Sequence, residues 1–104
     1  MNTQPIIDRL YLTAGCGINE YLPVKGDPLP AGSTVTLHVL NFDLSETLGV
    51  WGGVVVDDGA GVLLQADAAD TDPIPDGARF RVYVTYPDVS GKLPWVRGSV
   101  VRCD

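Results

Sequence analysis

His38, Cys16, Cys103 and the four aspartates Asp67, Asp70, Asp72 and Asp76 are the residues whose types could support catalysis or metal binding. A general base needs a partnered histidine and something to activate. His38 is the sole histidine, and no G-x-S-x-G nucleophile motif occurs. It follows Leu37 in a segment whose odd-numbered positions look inward, so it is expected on the outer surface and is not read as catalytic. The aspartates have a spacing that a loop could fold around calcium, but the glycine and glutamate of an EF-hand order are missing. They read as a solvated loop, since Asp tolerates turns. Two cysteines without a second pair, and a distant lone histidine, do not make a zinc site. Free thiols are expected of a cytoplasmically made chain, although terminal strands of a sandwich can be neighbours and leave a disulfide geometrically open. Gly15-Cys16-Gly17 and Gly52-Gly53 open no helix and carry no Lys-Ser/Thr ending, so they are bulge or close-approach glycines and not phosphate cradles. No catalytic residue, metal ligand or cofactor is assigned.

Aromatic and basic residues remain. Trp51 and Trp95 suit either a core or an interface anchor, because indole is large and amphipathic. Tyr83, with Arg79 and Arg81 beside it, lies on the face of its segment opposite Phe80, Val82 and Val84. That describes a binding surface and, equally, an ordinary solvated face. Trp51, Trp95, Arg79, Arg81, Tyr83 and Arg97 are the candidate partner interface.

The elements that must position these residues follow from an internal echo. PLPAGSTVTLHV from Pro28 returns from Pro73, 45 positions later, as PIPDGARFRVYV. Each copy sets prolines and a glycine ahead of alternating apolar residues: Val35, Leu37 and Val39, then Phe80, Val82 and Val84. A period of two is the signature of a half-buried strand. Further strands are expected over residues 6–13, 18–24, 50–56, 61–66 and 94–102, besides 34–40 and 78–86. Asp58-Gly59 marks a hairpin between the fourth and fifth. Residues 41–49 are the one candidate for a helical turn or two, with Asp43 as cap, Glu46 three residues on and Gly49 as stop. Residues 25–33 and 87–92 read as turns, and 67–76 as a polar loop.

The chain of 104 residues fits one domain with one core over residues 1–104. Seven strands with turns every eight to twelve residues predict an all-β domain, a two-layer antiparallel β-sandwich of immunoglobulin-like pattern. No apolar run is long enough to span a membrane and no secretory signal is evident at the start, so a soluble protein made in a cytoplasm is expected. The formal net charge of −6 argues against nucleic acid as partner. No Lys or Arg falls between Lys25 and Arg79, whereas Arg79, Arg81, Lys92, Arg97 and Arg102 crowd the end. Such asymmetry suits subunits that meet acidic edge to basic face, and the plainer reading of the same charges is solubility.

LYLTAG near the start, PDGARFRVYVTY and the closing LPWVRGSVVR together resemble the LtfC-like β-sandwich proteins of tailed bacteriophages of actinobacteria. The most specific part is Pro75, Gly77, Phe80, Arg81, Tyr83 and Val84, followed by Trp95, Gly98, Val100 and Arg102. The resemblance implies a virion structural protein without enzymatic activity. Its expected partners are a major capsid protein or tail proteins, with self-association on the lattice. A head decoration protein is the first expectation. A tail- or fibre-associated module and a carbohydrate- or receptor-binding sandwich using Trp51 or Trp95 as a stacking platform are the alternatives.

Overall fold

The computed structural model describes residues 6–24, 28–88 and 91–103. The expected turns at 25–33 and 87–92 lie partly outside the described residues. Seven strands form: β1 (Ile6–Leu12), β2 (Ile18–Pro23), β3 (Thr34–Leu40), β4 (Thr47–Val56), β5 (Gly61–Ala66), β6 (Arg79–Thr85) and β7 (Leu93–Arg102). They make one hydrogen-bonded sheet in the order β1-β7-β6-β3-β4-β5-β2. A 3₁₀ turn (Asp57–Gly59) joins β4 to β5, and a four-residue helix, α1 (Ala68–Thr71), lies in the expected polar loop before β6.

The echoed segments become the centre of the sheet. β3 and β6 are antiparallel neighbours, with Val35 opposite Val84, Leu37 opposite Val82 and Val39 opposite Phe80. Their burial alternates identically along seven residues. The turns ahead of them match as well. Ser33 N–H donates to Pro30 O (3.1 Å) and Ala78 N–H to Pro75 O (3.3 Å). The third residue of each turn, Gly32 (φ 89°) or Gly77 (φ 86°), has the left-handed backbone that glycine takes without a Cβ penalty.

Inward residues of six strands, with Ile74 and Ala78 from the segment before β6, form one core, and each of its apolar side chains is 5% exposed or less. Leu29 and Tyr86 from the loops, and Trp51 and Trp95 from the strands, pack against that core on a sheet that carries the usual twist. Breaks in register help it bend, at Val39/Leu40 between β3 and β4 and at Val82/Tyr83 between β6 and β7. The segment before β6 closes the end near β7. Arg102 Nη1 donates to Thr71 O (3.1 Å) and Ile74 O (3.3 Å), and Asp72 Oδ1 accepts from Gly15 N–H (3.0 Å).

Two expectations are corrected. The sheet is not wholly antiparallel, because β1 runs parallel to β7, Leu10 opposite Val100. Residues 41–49 hold no helix. Asn41 Oδ1 accepts from the amides of Ser45 (2.9 Å) and Glu46 (3.2 Å), and Asp43 Oδ1 from Ser45 N–H (3.1 Å). These side chains take the amides that a helix would use. From Thr47 onward the chain pairs with β3 instead.

Candidate partner interface

Alternation along β6 decides which residues face out. Because Phe80, Val82 and Val84 are buried, Arg79, Arg81 and Tyr83 leave the opposite face of the sheet. Register supplies their neighbours: Arg81 stands opposite Arg97 of β7 on one side and His38 of β3 on the other. The parallel pairing of β1 sets Arg9 opposite Ser99, which itself faces Arg79. Lys92 lies 5.1 Å from the centre of the Tyr83 ring, and Arg79 stacks over Phe42 at 5.3 Å. Arg9, Arg79, Arg81, Lys92 and Arg97 therefore gather five of the seven Lys and Arg residues on the outer face of the β1-β7-β6 half. Among the described residues, no carboxylate forms an ion pair with any of them.

Tyr83 is the hub of this face. Its ring meets His38 edge to face, with centroids 4.9 Å apart and planes at 86°, and Arg81 Nη1 makes a long 3.5 Å contact to its hydroxyl. Partial burial, and then the charge of Lys92, hold the His38 imidazole below its usual pKa. The neutral ring is the form that suits this cationic surface.

Four of the six candidate residues, Arg79, Arg81, Tyr83 and Arg97, thus share one face. The two tryptophans do not join them. Trp51 is opposite Leu37 on the inward side of β4, half-buried against the core, and its indole occupies the space beside Gly49 where a side chain would otherwise stand. Trp95 falls at the register break between β6 and β7 and is half-buried against the same core.

Residues 41–46 add two members that the sequence reading missed. Phe42 is 71% exposed and Leu44 43%, and they line one groove with Arg79, Arg81 and Arg97. Leu44 has φ 66°, a left-handed backbone uncommon for a leucine, held by its own N–H donating to Asn41 O (3.0 Å). Asp43 stands on the rim, its carboxyl pulled below the usual range by hydrogen bonds from the Ser45 hydroxyl and amide.

The carboxylates concentrate elsewhere. Asp57 and Asp58 cap the β4–β5 end, and Asp57 Oδ2 accepts from the Tyr21 hydroxyl (3.0 Å), which raises the phenol's pKa. Asp76 Oδ1 accepts from Arg102 N–H (2.8 Å), and Asp72 is held by Gly15. Among the described residues no group of three or more His, Cys, Asp or Glu is placed to hold a metal ion. Cys16 and Cys103 are exposed free thiols. No helix among the described residues is long and apolar enough to cross a membrane.

These features define a small all-β domain whose distinguishing surface is a cationic face, on an acidic chain, that forms no ion pair among the described residues. Residues 4–103 match the family described as LtfC-like, β-sandwich domain, and the chain belongs to that family. No curated protein matches it.

Proposed function

We propose that this protein is a structural component of a bacteriophage virion, a minor capsid or decoration protein that binds the assembled head and stabilises it. It works by contact and not by catalysis. The observation that carries the reading is the face of Arg79, Arg81, Tyr83 and Arg97 with Arg9 and Lys92, whose cations form no ion pair among the described residues. Uncompensated like charges held on a rigid sheet cost stability, and a partner of opposite potential recovers that cost on docking. Membership in the LtfC-like family supports a virion setting through the phage proteins this chain resembles. A ligand that binds the assembled shell and not its free subunits stabilises the shell by linkage, and a repeating lattice adds avidity where neighbouring copies touch.

Trp51 and Trp95 are half-buried against the core and lie apart from this face, so the carbohydrate-platform alternative draws no support from it. Immunogold labelling of intact virions with antibody to this chain tests the proposal. Gold over the head is expected. Gold confined to the tail would make it a tail-associated module, and unlabelled particles with an accessible epitope would overturn the virion reading.

A further inference from the structure

We infer that the groove between residues 42–44 and the arginines of β6 and β7 is a recognition site for a short acidic segment of a partner protein carrying an apolar anchor. This rests on the reading of the outer face as the docking surface and specifies what that surface takes. The groove, about 380 Å³, is lined by Phe42, Leu44, Arg79, Arg81 and Arg97 among others. It lies at the small end of the range for ligand clefts, the size of a few side chains and not of a domain.

Two chemistries meet in it. Three guanidinium groups have no ion pair among the described residues, so the occupant is anionic, and their forked donors suit carboxylates held two at a time. Beside them Phe42, with Arg79 over its ring, and Leu44 present apolar surface that stays 71% and 43% exposed among the described residues, on a backbone fixed by the bonds of Asn41 and Asp43. An aromatic ring and arginines preset on a rigid frame lose little entropy on binding, which is the composition of interface hot spots.

The cationic footprint is also short. Asp43 stands on one rim, and Asp8 shares the adjoining hollow with Arg9, Tyr11 and Arg79. A long polyanion such as a nucleic acid strand would run its phosphates onto these carboxylates. A segment with two or three acidic residues around one Leu, Ile, Phe or Trp would not.

Selection of a displayed random dodecapeptide library on the purified full chain tests this without virions, so its outcome is independent of where the protein sits on a particle. Enriched peptides are expected to share two or more Asp or Glu flanking one large apolar residue. Their affinity should fall at least tenfold on R81E/R97E and about fivefold on F42A, with the circular dichroism of each variant unchanged. Peptides without acidic residues, or peptides that bind R81E/R97E as well as the parent, would overturn the inference. So would tighter binding of an oligodeoxythymidine than of any selected peptide. Sedimentation of the chain alone should show a monomer. A salt-sensitive oligomer abolished by R81E/R97E would give the groove to a second copy and overturn the assignment to another protein.

Discussion

Arg81 and Arg97 stand directly opposite one another on antiparallel β6 and β7. Like charges at facing positions destabilise a sheet by up to ~1 kcal/mol, and Arg81 has His38 as its other neighbour, held toward the neutral form. Replacing Arg97 by Glu turns the repulsion into a cross-strand attraction. The expected result is a more stable isolated protein, with Tm raised by about 2–4 °C in thermal unfolding at low salt. The gain should shrink in ~0.5 M salt, where exposed charges are screened. An Arg97→Glu protein no more stable than its parent would show that the pair is already relaxed by solvent. Under the proposed docking through this face, the same substitution should weaken binding to the partner, so that stability and binding move in opposite directions.

Glycines of β4 and β7 separate two roles by geometry. A Cβ at Gly98 would overlap the carbonyl of Asp8 and the edge of the Phe80 ring, where β1 docks on β7. Backbone on one side and a buried ring on the other cannot both yield. Gly98→Ala is expected to cost about 2–3 kcal/mol, read as a lower urea midpoint. Gly52 faces outward with open space around its Cβ position and no left-handed backbone. Gly52→Ala should be neutral or stabilise by up to ~1 kcal/mol, since alanine has less chain entropy to lose.

The strand pattern was readable because alternation is local. β3 and β5 occupy the expected residues, and the apolar positions of the echo are the buried ones. Pairing of the two echoes with each other is a tertiary fact that neither copy encodes alone. The parallel β1–β7 pair is of the same kind, since it joins the two ends of the chain. Residue type alone leaves Trp51 open between core and interface. Parity held the better signal: Trp51 shares its side of β4 with Gly49 and Gly53, and Gly49 makes room for the indole. The groove went unseen for a different reason. Asp43 with Glu46 three residues later imitates a helix cap, while Asn41, just upstream, decides the contest by binding the amides of Ser45 and Glu46. Arg79 and Arg81 of β6 are legible as outward residues from alternation, whereas Phe42 and Leu44, which line the same groove, sit in a turn that has no period to read.

His38 gives the fold a pH dependence of known sign. Its pKa in the folded chain lies below the unfolded value of 6.5, through desolvation first and Lys92 second. The folded state therefore binds fewer protons, and stability falls as pH drops from about 7 through 6.5 toward the folded pKa, below which the penalty is constant. Asp43 has the other sign, its carboxyl lowered by Ser45, so its contribution is present above the unfolded value of 3.8 and is lost only below it. The two windows do not overlap. Between pH 7 and pH 5 the parent should lose more Tm than His38→Asn does. Equal losses would place the sensitivity outside the His38–Tyr83 contact.

Asn41 is expected to be the residue that keeps the 42–44 turn in shape. Its Oδ1 accepts from Ser45 and Glu46 amides, and its Nδ2 donates to Ser45 Oγ (2.9 Å). Asn41→Ala removes all three bonds at a solvent-facing site, where net hydrogen-bond contributions of about 0.5–1.5 kcal/mol each are an upper guide, so a loss near ~1 kcal/mol is expected. Asn41→Asp keeps the acceptor and should recover most of it. Hydrogen exchange distinguishes a loosened turn from a general loss of stability. In Asn41→Ala the Ser45 and Glu46 amides should exchange faster by more than the global destabilisation explains, while the amides of β3 and β6 follow the global change alone. If all of them accelerate together, the turn has no stability of its own, and Phe42 and Leu44 are held out by the sheet and not by Asn41.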